Sequence, residues 1–253
     1  MSLAKEMPLN EGQTTEIENN GLPLGLTVLT AVTGIGVLIG LYLGLFYAGT
    51  DLEQGQVQRI FYIHMPSFFG AFTAFIAAVV GGSAYLRTRG LKWDRMALAG
   101  VEVGLMLALV NLATGSIWAR PIWNTWWTWD PRLTSAAIMA LTYAAYLMLR
   151  AGVENPEQRR RFASVYGILA ITTAVITLLI IRIRPDTIHP VVVGESPAGA
   201  EGGFAMGTGQ TLALLFNLPV WGLLVPITLM WFRMRLERMT DQVEQMKQEL
   251  LES

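Results

Sequence analysis

The sequence predicts an all-α integral membrane protein with six transmembrane helices, on composition, on charge placement and on the length of its apolar runs. Of its 253 residues, 53% are hydrophobic and only 15% charged, whereas soluble domains run near one quarter charged. The charges are also segregated. None falls between Glu18 and Asp51, between Arg59 and Arg87, between Arg132 and Arg150, from Phe162 to Ile181, or between Glu201 and Arg233. Each gap holds close to the ~20 apolar residues that cross hydrocarbon. A sixth apolar run, interrupted by Glu102, lies between them. The net charge of -1 gives no bulk pull toward nucleic acid, so no nucleic-acid partner is expected. With no cysteine the chain has no disulfide, no thiolate metal site and no covalent C-x-x-C-H cofactor attachment.

Residues 1–22 are polar, with Glu6, Glu11, Glu16 and Glu18, and are expected to be a cytoplasmic tail. The run that follows is too long for a signal-peptide core and reads as a retained helix. Helix 1 is expected over Pro23–Ala48, with Gly36, Gly40 and Gly44 at a spacing that lets another backbone approach. Helix 2 spans about Val57–Leu86 and carries His64 and Pro66 near its start. Helix 3 spans about Asp94–Ile117. A Trp-rich loop over 118–134 joins it to helix 4, about Pro131–Leu149, where Asp130 and Pro131 form an N-cap and first helical residue. Helix 5 covers about Phe162–Ile181. A long segment, 182–209, precedes helix 6 over about Gln210–Phe232, whose Pro219 and Pro226 predict a kink. The membrane domain is thus 23–233. Residues 234–253 read as a cytoplasmic amphipathic helix, because Leu236, Met239, Val243, Met246 and Leu250 follow the 3-4 spacing of a short coiled coil.

Six spans place both termini on one side. With both termini in the cytoplasm, 13 of the 18 basic residues face inward, and the outer segments keep Arg59, Arg120, Arg132, Arg182 and Arg184. The Trp-rich loop, the start of helix 2 and segment 182–209 then share the outer face.

Chemistry concentrates on that face. Five of the eight tryptophans lie between Trp118 and Trp129 (Trp118, Trp123, Trp126, Trp127, Trp129), followed directly by Asp130, Pro131 and Arg132. An aromatic belt would spread them over all helix ends. The chain's two histidines, His64 and His189, fall on the same side. A flat macrocycle with a central iron calls for an aromatic wall, axial imidazole nitrogen and cations for its propionates. His64 and His189 are the expected iron ligands, with Arg59 and Arg132 for the propionates, since guanidinium binds carboxylate bidentately. Arg120, Arg182 and Arg184 read as interfacial anchors. Asp130 is accounted for as a cap, and Glu102 is expected to be paired or to reach the interface.

The run WNTWWTWDPRLTS resembles the tryptophan-rich motif of bacterial haem-handling membrane proteins in cytochrome c biogenesis. With six helices, two histidines and this length, the chain is similar to the haem exporter protein C (cytochrome c maturation protein C) family. Asn124 stands where that family has glycine, Pro131 where it has alanine, and RPDTIHPVV lacks a tryptophan before the second histidine. The resemblance implies a non-enzymatic inner-membrane protein of bacteria that holds haem b as a transient ligand between two axial histidines. It implies Trp118, Trp123, Trp126, Trp127, Trp129 and Asp130 as the platform for haem and for a periplasmic haem chaperone. It also implies partnership with ABC-type permease and ATPase subunits and a small single-span membrane subunit, since no P-loop occurs here. Two rival readings stand beside it. A haem-attachment synthase of the other biogenesis system is expected to carry more histidines than two. A bis-histidine electron carrier needs both ligands on spanning helices.

Overall fold

The computed structural model describes residues 21–184, 186–189 and 206–252. Most of the polar N-terminal tail and much of segment 182–209 lie outside the described residues. The described chain is helical throughout, apart from its connections. Helix α1 (Leu24–Tyr42) runs on as a π turn, Leu43–Tyr47; a 3-10 turn, Gln56–Ile60, leads into α2 (Phe61–Thr88). Then follow α3 (Leu91–Trp123), α4 (Pro131–Gly152) and α5 (Pro156–Ile183). Finally α6 (Thr208–Pro219) and α7 (Val225–Glu252) are joined by the π turn Val220–Leu224 into one rod. Six of these rods are long and apolar enough to cross a membrane.

Three helix ends differ most from expectation, one being the start of α5, which lies at Pro156 rather than about Phe162. α3 continues to Trp123, so Trp118 and Trp123 stand on a helix and the irregular connection shrinks to 124–130. Pro121 removes one N–H donor without ending the helix. The end comes at Asn124, whose φ of 53° is left-handed, a conformation suited to glycine and, after it, asparagine. Arg120 closes the terminus by donating to the Asn124 carbonyl at 2.9 Å. At the other end of the chain, α7 passes through Phe232 without a break. The predicted kink takes the form of the π turn, directly after Pro219.

α2 and α3 make the rigid centre. A Cβ on Gly81 would lie 2.7 Å from both Trp93 O and Ala97 N, and one on Gly100 would lie 2.8 Å from Ala78 N. Backbones this close cannot slide or part without losing dispersion contacts along the whole seam. The glycines of α1 do the packing their spacing predicts. A Cβ on Gly36 would meet Val220 at 3.2 Å, one on Gly44 would meet Tyr62 at 3.0 Å, and Gly40 faces Asn217. Asn217 donates to Gly40 O at 3.0 Å, fastening α6 to α1.

At the end of the bundle away from the Trp-rich connection, ion pairs tie the helices. Glu102 is paired: its Oε2 lies 2.5 Å from Arg233 Nε, and Arg95 reaches Asp241 at 2.5 Å. The apolar heptad residues of α7, Leu236 to Leu250, are all exposed. Asp94 and Arg150 form a buried pair at 2.7 Å, joined by Arg160 at 3.6 Å. Removing one member of a buried pair strands the other's charge at a cost of about 3–5 kcal/mol. Asp94→Asn is therefore expected to lower the thermal midpoint in detergent markedly. A double change of Asp94 and Arg150 to apolar residues is expected to recover most of the loss.

Candidate functional site

The site begins with the loop between α1 and α2, which turns on Gly49 and Gly55, both at positive φ. Asp51 organises it, accepting from Glu53 N at 2.9 Å and Gln54 N at 2.8 Å, and from Gln210 Nε2 at 3.1 Å. Partial burial pushes the Asp51 carboxyl up, but those three donors outweigh it and hold it below the usual carboxylate range. The turn presents Gln54, whose Oε1 accepts from the Trp118 indole N–H at 3.0 Å. That bond fixes one aromatic wall.

His64 sits on the first turn of α2, oriented by α3. Its Nδ1 lies 3.0 Å from Asn111 O and 3.2 Å from Thr114 Oγ1, and the Thr114 hydroxyl donates to Val110 O at 2.7 Å. The Asn111 carbonyl can only accept, so Nδ1 bonded to it carries the proton and Nε2 keeps its lone pair, the tautomer that ligates a metal; the Asn111 amide nitrogen lies farther from Nδ1, at 3.3 Å. The Asn111 amide also donates to His64 O at 2.7 Å. Gly115 makes room for the ring, since a Cβ there would lie 2.9 Å from His64 Cε1.

Across from it stands His189. The two imidazole centroids are 6.4 Å apart with 30° between the ring planes. Two imidazoles bound to one metal at about 2 Å each place their centroids roughly 6 Å apart, so the separation suits a shared ion. Trp118 meets His64 edge-on at 5.7 Å and Trp123 meets His189 at 6.4 Å.

These groups line a cavity of ≈ 650 Å³, within the range of pockets that take drug-sized and cofactor-sized ligands. Trp118, Trp123 and Trp127 form its aromatic side, Phe68, Phe69 and Leu112 contribute apolar surface, and Arg132 and Arg182 supply cations. Among the described residues no group of three or more His, Cys, Asp or Glu could hold a bare metal ion. A ligand that brings its own equatorial donors needs only the axial pair.

The sequence-predicted residues therefore divide. His64, His189, Arg132, Trp118, Trp123 and Trp127 are brought together at the cavity. Arg59, Trp126, Trp129 and Asp130 are not among its lining residues. Arg59 belongs to the 3-10 turn ahead of α2. Trp126 and Trp129 are exposed, at 59% and 79%, with Trp129 edge-on to Trp127 at 5.7 Å. Asp130 caps α4 as its place before Pro131 predicts, accepting from Leu133 N at 2.8 Å. Arg184 pairs with exposed Asp186 at 2.6 Å, and this bond holds the Asp186 carboxyl below its ordinary range. Arg182, read from sequence as an anchor, lines the cavity instead. Asn111, Thr114, Gly115 and Gln54 went unread. The signal for two of them was present: Asn111, Gly115 and Trp118 recur at helical spacing along one face of α3.

Fold and cavity together define a multi-pass helical membrane protein with two imidazoles, 6.4 Å apart, beside a cavity walled in part by tryptophans. The family model described as Heme exporter protein C matches residues 22–249. The chain belongs to that family. It is 30% identical over 200 residues to the Heme exporter protein C of Paracoccus denitrificans, covering 79% of this chain and 77% of that protein. It is 31% identical over 224 residues to that of Bradyrhizobium diazoefficiens, covering 85% and 77%. With the Rhodobacter capsulatus protein of the same name it shares 32% identity over 151 residues, covering 60% of this chain and 61% of that protein.

Proposed function

We propose that the protein holds haem b in this cavity, on the extracytoplasmic side of the bacterial inner membrane, and passes it to a periplasmic haem chaperone during cytochrome c maturation. The observation that carries the reading is the 6.4 Å separation of the chain's two histidine rings. Haem supplies four equatorial nitrogens and the iron. The chain supplies His64 and His189 on the axis, indoles against the macrocycle, and Arg132 with Arg182 for the propionates. Arg182 joins Arg132 in this reading because it lines the cavity, whereas Arg59, expected beside the propionates, is not in the lining. The relatives' name, Heme exporter protein C, supports haem handling, and the inward bias of basic residues supports cytoplasmic termini with the cavity outside. Any ATP-driven step belongs to ABC-type permease and ATPase partners, with a small single-span subunit completing the complex. A haem-attachment synthase with a second haem site is not supported by a chain of two histidines.

The test is a visible spectrum of the purified full chain titrated with haem b. A six-coordinate, low-spin spectrum at one haem per chain is the expected result. Absence of binding, or a high-spin spectrum throughout, would sink the proposal. The exposed Trp126 and Trp129 form the surface offered to the chaperone, where an aromatic anchor typically carries about 2 kcal/mol or more of an interface. Trp129→Ala is expected to leave the haem spectrum unchanged while slowing transfer to the chaperone by roughly 10-fold or more.

A further inference from the structure

We infer that Asp130 and Thr187 form a latch that positions His189 and sets how long the cargo is retained. The idea rests on the haem-binding reading above and assigns residues that this reading leaves without a role. Thr187 is 2% exposed. Its hydroxyl donates to Asp130 Oδ2, and its Oγ1 accepts from the His189 backbone N–H at 3.2 Å. The other carboxylate oxygen, Oδ1, accepts from Leu133 N at the start of α4. One carboxylate thus ties a helix terminus to a segment 57 residues further along the chain, and a single hydroxyl passes that tie to the histidine.

The described part of that segment, residues 186–189, has no helical ladder of its own. Side-chain bonds help to fix its placement near His64, and a hydroxyl bound to a part-buried carboxylate is among the stronger ones. Ligation tolerates little error, because a displacement near 1 Å takes a donor out of bonding range. His64 needs no such device, being held by the close-packed α2–α3 pair. The two ligands are thus unequal: one belongs to the rigid core and the other to a fastened strap. Asp130 also follows directly on Trp129, which is exposed for contact with an acceptor. An acceptor that shifts Trp129 pulls on the carboxylate and loosens the second ligand, coupling docking to release.

Thr187→Val keeps shape and removes the hydroxyl, Thr187→Ser keeps the hydroxyl, and Asp130→Asn keeps a capping oxygen but removes the charge. The natural chain has no cysteine, so a spin label at Asp186→Cys, an exposed position beside Thr187, reports on the segment without haem. In haem-free full-length protein, label mobility is expected to rise in Thr187→Val and Asp130→Asn and to stay low in Thr187→Ser. Loaded with haem b, Thr187→Val is expected to lose haem to excess apomyoglobin roughly 10-fold faster, the weight of one charge-assisted hydrogen bond. Added imidazole is expected to restore its low-spin band, which a general loss of folding would not permit. Equal label mobility in Thr187→Val and the parent chain overturns the latch, whatever haem does. Raised mobility in a protein that takes up no haem leaves the latch standing and removes the haem-binding reading.

Discussion

His64→Ala is expected to abolish stable haem binding, with loss of the low-spin spectrum and an affinity fall beyond 100-fold. Outer-sphere changes around a ligating histidine cost about 10–100-fold, and removing the ligand itself costs more. The side chain is pre-set for its task. Nδ1 is engaged by Asn111 O and Thr114, Nε2 is left as the lone pair, and the ring rests in the space over Gly115. Nothing has to be ordered when the iron arrives, so the whole bond strength appears as affinity. His189→Ala is expected to do less, leaving weaker, five-coordinate, high-spin binding on His64. A haem titration followed in the Soret region distinguishes the two variants. A low-spin spectrum surviving in His64→Ala would remove that residue from the axis.

Gly115→Ala is expected to have the second largest effect, about a 10-fold loss of haem affinity from a single added methyl group. The new Cβ would stand 2.9 Å from His64 Cε1, closer than real contacts allow. Neither helix can retreat, because α2 and α3 touch backbone to backbone at Gly81 and Gly100. The imidazole must therefore move, and with it the lone pair on which the proposed ligation depends. The fold should respond in the opposite sense. Alanine is the better helix former by roughly 0.5–1 kcal/mol, so the thermal midpoint of the haem-free protein is expected to hold or rise. Lower affinity beside equal or higher stability separates a role at the site from a role in packing. Lower stability with unchanged affinity would show that Gly115 serves the helix seam alone.

Much of the architecture was legible because the constraint behind it is local and severe. A segment that crosses hydrocarbon needs about twenty residues without charge, and the gaps bounded by Glu18 and Asp51 or by Arg59 and Arg87 say so directly. The Asp130 cap was legible for the same reason, since Leu133, whose N–H it accepts, lies only three residues on. The end of α3 was not. The expected end near Ile117 falls six residues short, because a proline at 121 costs a membrane helix only one hydrogen bond and the terminus depends on Asn124 turning left-handed under Arg120.

The cavity was legible in kind but not in detail. Tryptophans crowded beside Asp130 and Arg132, with two histidines expected on the same face, mark the region where the cavity lies. Which arginines line it did not follow, because α5 delivers Arg182 to the wall while Arg59 lies outside the lining. The sequence alone determined the six spans, the Trp-rich edge and the candidate ligands, since hydrophobic length and residue chemistry are properties of the chain itself. Only the tertiary structure decided the orientation of His64 by Asn111 and Gly115, about fifty residues away, and the fastening of His189 through Thr187 to Asp130. Those contacts join helices that are distant in sequence, and no periodicity along one segment records which residue on another will lie 3 Å from it.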